Sequence, residues 1–184
     1  MKKLMISLVA LLLALTSYAQ TGHLKFMGIP LNGSIASFQA KLQAKGVRYD
    51  AEGSRHLPVG TRAFKGTFSG EKADIYVYYN EKTKVVYRAK AVMTCANKSI
   101  GEQKYNSFKS MLKEKYGYGG VAVGEQDGHP NLLIRLADDE GMSLGDVGMY
   151  MSSPYSYMDE VSLHIDYEDA TNSRANQNQN MDDL

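Results

Sequence analysis

The chain has 184 residues, 43% hydrophobic and 22% charged, with a formal net charge of +1, figures close to those of an average soluble domain. They exclude a fully disordered chain, a collagen-like or coiled-coil rod, a multi-pass membrane protein and a strongly basic nucleic-acid binder. A single cysteine, Cys95, leaves no disulfide framework and no cysteine-rich zinc site.

Lys2 and Lys3 precede an apolar run over residues 4–15 that only Ser7 interrupts, too short to span a bilayer core of about 30 Å comfortably. Ser17 and Ala19 supply small residues where signal peptidase reads them. The pattern predicts a signal peptide over residues 1–19, a mature chain beginning at Gln20, and a periplasmic or secreted location. Gln20 and Thr21 stand where a lipoprotein needs cysteine, so no stable membrane anchor is expected after cleavage. Loss of two lysines leaves the mature chain near neutrality, which gives no long-range steering of nucleic acid or acidic lipid.

Residues 24–27 alternate apolar and polar before Gly28-Ile29-Pro30 and predict a short strand. A helix follows, with Ser34 as its cap, Ile35, Phe38 and Leu42 on one face, and Gly46 at its end. From residue 61 to 95 the period changes to two, as in an antiparallel meander. Pairing Tyr79 with Val85 around a loop at 80–84 gathers Ile75, Val77, Tyr79, Val85, Tyr87 and Ala89 on one face. That register sets Tyr76 across from Arg88, Tyr78 from Val86 and Asp74 from Lys90.

Ser99 and Glu102 have capping-box spacing, and Tyr105, Phe108, Leu112 and Tyr116 form an apolar stripe that Gly117 closes. The glycine-rich residues 117–128 read as a loop. Alternating sets over 132–136, 147–151 and 161–167 predict three further strands, and the Asn- and Gln-rich residues 170–184 predict a disordered tail. Residues 24–95 and 99–168 thus share one order. The expectation is a single α+β domain over 20–169, an antiparallel sheet with two helices on one face, built by internal duplication of a helix-plus-three-strand unit.

With its leader ending Ser-Tyr-Ala-Gln, the stretch 24–46 and the hairpin 70–93, the chain resembles small secreted or periplasmic proteins of gut Bacteroidetes with no assigned activity. It is also loosely similar to duplicated helix-plus-sheet folds of beta-lactamase-inhibitor type. The resemblance implies a fold and a compartment, and no catalytic site.

No metal or nucleophile motif surrounds His23, His56, His129 or His164. His164, Asp166 and Glu168 share a strand face and are the nearest approach to an acid-base set. No cofactor, metal or catalytic residue is expected. Tyrosine is the unusual feature, with 13 residues and no tryptophan. Tyr76 and Tyr78 fall on the polar face with Arg88 and Lys90, where the four are expected to form one exposed patch, and Tyr155 and Tyr157 fall in a Ser/Tyr loop. Tyrosine and arginine are enriched where proteins bind partners. The expected function is a non-enzymatic binding module that meets a protein or glycan through these residues. The alternative is a small envelope hydrolase whose residues are scattered among strand ends.

Overall fold

The computed structural model describes residues 22–117, 120–126, 129–153 and 159–181; Tyr155 and Tyr157 lie outside them. The fold is α+β, with a large antiparallel sheet and, among the described residues, four helices. Among the described residues no helix is long and apolar enough to cross a membrane.

A small hairpin opens the fold, β1 (Lys25–Phe26) against β2 (Ile29–Pro30), turned by Met27 and Gly28 at φ 52° and 77°. Helix α1 (Ile35–Ala44) starts where the Ser34 hydroxyl accepts from Ser37 N–H and buries Ile35, Phe38 and Leu42. Then come β3 (Arg48–Asp50), the short helix α2 (Ala51–Arg55), β4 (Thr61–Phe68), β5 (Glu71–Tyr79) and β6 (Val86–Cys95). Helix α3 (Lys98–Tyr116) is capped by Asn97, whose side chain accepts from Ile100 N–H. The cap therefore precedes the predicted Ser99. Strands β7 (Val121–Gln126), β8 (His129–Ala137), β9 (Ser143–Ser152) and β10 (Val161–Asp169) complete the sheet, and helix α4 (Ala170–Met181) ends the described chain.

The strand order is β3-β4-β5-β6-β10-β9-β8-β7, with every pair antiparallel. Four strands follow each of α1 and α3, against the three expected. β3 lies between the first predicted helix and the meander, where no strand was expected, and β7 lies in the glycine-rich segment read as a loop. Pairing with β4 and β8 holds these two strands, and sequence periodicity does not report such pairing.

Alternate sheet positions, including Phe64, Ile75, Val77, Ala91, Ile134, Val147, Leu163 and Ile165, join the buried side chains of α1 and α3 in one hydrophobic cluster. The side of the sheet that carries them is the inner face. The predicted core residues Phe38, Leu42, Ile75, Val77, Phe108, Leu112, Leu163 and Ile165 are all buried, and so is Cys95 at the end of β6.

The β5–β6 register differs from the expected one. Asn80 folds the loop on itself, its Oδ1 accepting from the N–H groups of Lys82 and Thr83, and its own N–H donates to the Val85 carbonyl. Tyr79 therefore pairs with Val86. Tyr87 is the extra residue of a bulge, and beyond it Tyr78 pairs with Arg88, Tyr76 with Lys90 and Asp74 with Val92. The net slip for residues 74–78 is two, which keeps each side chain on its expected face but gives it a new partner. Val86 is the residue fully buried beside the hairpin, and Val85 and Tyr87 are only half-buried.

The predicted disordered tail is helical over Ala170–Met181. Its anchors are polar. Asn172 Nδ2 donates to the Leu31 carbonyl at 2.6 Å, Asn176 accepts from Asn80 at 2.9 Å, and the Ser173 hydroxyl donates to Glu168 at 2.5 Å. Asp169, fully buried, accepts from Leu24 N–H at 2.9 Å and Asn172 N–H at 2.9 Å, with His23 Nδ1 at 3.1 Å. One carboxylate thus ties the first described residues to the last strand and last helix.

Candidate functional site

The other parity of the sheet, its outer face, brings together the four sheet residues singled out from sequence. Tyr76 and Tyr78 on β5 stand beside Lys90 and Arg88 on β6, because polar positions of period two share one side of a pleated strand. The Arg88 guanidinium lies 5.0 Å from the Tyr78 ring centre, and Lys90 Nζ lies 5.9 Å from the rings of both Tyr76 and Tyr78. These are cation–π distances. Burial pushes both phenol pKa values up, and for Tyr76 the nearby Asp74 adds to the rise. Both hydroxyls stay protonated at neutral pH and can donate a hydrogen bond.

All four side chains are half-buried, whereas the sequence reading expected an exposed patch. Arg88 turns across to β10, where Nε donates to Asp166 Oδ1 at 2.8 Å and Oδ2 at 3.0 Å, and Nη2 donates to Oδ2. This ion pair holds Arg88 protonated and fixes the guanidinium over Tyr78. A shallow groove of about 530 Å³ opens beside it, walled by Gly60, Tyr78, Asn80, Tyr87, Arg88 and Asn176. α2 is tied to β4 near Tyr76, with Ser54 Oγ bonded to the main chain of Ala63, the register partner of Tyr76.

The three residues nearest to an acid-base set are brought to one face but go to separate partners. His164 Nε2 meets the Ser152 hydroxyl at 2.8 Å, Asp166 takes Arg88, and Glu168 takes Ser173. The His164 ring stacks on Tyr150 at 4.5 Å. Burial, with Lys90 adding to it, pulls its pKa down to about 4, so the imidazole is neutral at pH 7. Its Nδ1 has no hydrogen-bond partner among the described residues. Among the described residues the serine–histidine contact therefore has no acid to orient the ring, which the triad arrangement requires. Among the described residues no group of three or more His, Cys, Asp or Glu could hold a metal ion.

Sequence reasoning missed Asp166 as the partner of Arg88. The alternation of residues 162–168 placed Asp166 on the polar face, but only strand order makes β10 the neighbour of β6. Comparisons with protein-family models, with curated proteins and with solved structures returned no match.

Proposed function

We propose that the chain is an exported, non-enzymatic binding module that holds a protein or glycan partner against the outer face of its sheet. The observation that carries this reading is the row of Tyr76, Tyr78, Arg88 and Lys90 beside the 530 Å³ groove. Its aromatic rings are pre-positioned by cations and by the Asp166 pair, so little side-chain freedom remains to be lost on binding. Export rests on the leader pattern of residues 1–19.

The architecture behind this face is, in our reading, a duplication. α1 with β3 to β6 and α3 with β7 to β10 have the same order, and the sheet sequence β3-β4-β5-β6-β10-β9-β8-β7 runs from the first strand of each unit inward to its last. Both helices contribute their buried stripe to the same cluster, consistent with both lying on the inner face and leaving the outer one for a partner.

The test compares capture by the wild-type mature protein with capture by the double variant Tyr76→Ala/Lys90→Ala, using native envelope extract. Loss of a specific partner with an unchanged thermal transition supports the reading. Equal capture by both proteins refutes it.

A further inference from the structure

At the β3 end of the sheet lies a second groove, of about 670 Å³, whose rim carries Lys45, Arg48, Lys65 and Lys72 against a single lining acid, Asp74. The register makes this concentration unusual. Arg48 stands directly opposite Lys65 across β3 and β4, an arrangement of like charges that weakens a strand pair. Lys65 is relieved by Asp50 at 2.9 Å. Lys45, Arg48 and Lys72 are exposed and make no ion pair among the described residues. In a chain with a total charge of +1, that is a local surplus of positive charge facing solvent.

Its spacing and floor select the occupant. Thr67 pairs with Lys72 and Lys65 with Asp74, so Arg48 and Lys72 are two strands and one pleat repeat apart, about 12 Å between backbones. One carboxylate or phosphate cannot touch both; a chain carrying successive negative charges can. Thr67 and Thr94 offer exposed hydroxyls, and the apolar lining is limited to Ala73 and Val92. The lining offers no aromatic residue and no large apolar side chain of the kind that anchors a peptide. Hydroxyls between cations instead suit a hydroxyl-rich polyanion.

Resting on the reading of the chain as a binding module, we infer that this groove binds an anionic polysaccharide. Arg48, Lys72 and Lys45 take successive carboxylate or sulfate groups, and Thr67 and Thr94 hydrogen-bond the sugar.

The experiment titrates the mature protein by calorimetry with polygalacturonate, dextran sulfate, neutral dextran and polyglutamate at low salt. Both anionic glycans should bind, neutral dextran should not, and polyglutamate should bind about tenfold more weakly or worse. Arg48→Gln/Lys72→Gln should weaken the anionic glycans by about tenfold or more. Thr67→Val/Thr94→Val should weaken the glycans and leave polyglutamate unchanged. Arg48, Thr67, Lys72 and Thr94 are all exposed, and circular dichroism verifies the fold of every variant. The inference is overturned if neither anionic glycan binds, if the Arg48/Lys72 variant binds them as well as wild type, or if polyglutamate binds equally. Tyr76→Ala/Lys90→Ala separates this claim from the previous one. Capture lost through that variant with the groove inert removes only the groove; polygalacturonate bound in the groove with capture unaffected removes only the tyrosine patch.

Discussion

Arg88 was attractive from sequence as an exposed interface cation, and the structure changes what its removal should do. The side chain is about a third exposed, at 33%, and its partner Asp166 only 12% exposed. Truncation by Arg88→Ala removes a forked set of charge-assisted bonds and leaves a largely buried carboxylate with Lys90, its register partner, as the adjacent cation on β6. Losing a buried pair member costs about 3–5 kcal/mol and a hydrogen bond to a charged group about 1.5–3 kcal/mol. With solvent reaching the arginine, the lower range applies, so about 2 kcal/mol is expected. Asp166→Ala should cost a similar amount. The double variant should cost less than the sum by about 1 kcal/mol or more, since the second truncation removes a group already unpaired. Urea unfolding followed by circular dichroism measures all three. A cost below about 0.5 kcal/mol for Arg88→Ala, or an additive cycle, would refute the reasoning. It follows that Lys90, not Arg88, is the cation to remove when binding alone is to be tested.

His164 is neutral in the folded chain down to pH about 4, whereas the unfolded ring takes its proton near 6.5. The unfolded state thus binds more protons as pH falls through that window, so stability is full above 6.5 and declines toward 4, by on the order of 2 kcal/mol after discounting for the part-exposed ring. The difference in urea midpoint between wild type and His164→Gln should change between pH 7 and pH 4.5; a constant difference contradicts the argument. Leu112, 5% exposed in the cluster, should cost about 2–5 kcal/mol on truncation to alanine, and an unchanged melting temperature would mean that the face of α3 is misassigned. Asn172→Ala removes the bond to the Leu31 carbonyl and should cost about 1–3 kcal/mol. Faster amide exchange across α4 is its signature, and unaltered protection there would show that the helix is held by something else.

Period and punctuation in the sequence determined much of the fold. Ser34 and Gly46 bound α1, the stripe from Tyr105 to Leu112 marks α3, and strict alternation at 75–79 and 161–167 assigns the two faces of the sheet. Each of these is a local pattern that repeats with the geometry of its own element. The polar parity of residues 76, 78, 88 and 90 was legible for the same reason. Tertiary structure decided the rest. The Asn80 turn and the Tyr87 bulge shifted the pairing of residues 74–78 by two residues without disturbing their parity, and turned Val86 instead of Val85 and Tyr87 into the core. β3 and β7 exist through their partners, and α4 through hydrogen bonds to Leu31, Asn80 and Glu168 instead of an apolar stripe. The approach of Asp166 to Arg88, 78 residues apart in sequence, and of Lys45 and Arg48 to Lys72 depends on which strands are neighbours. A single strand's sequence specifies which face a side chain takes, but the contact across the sheet is set only when the whole strand order closes.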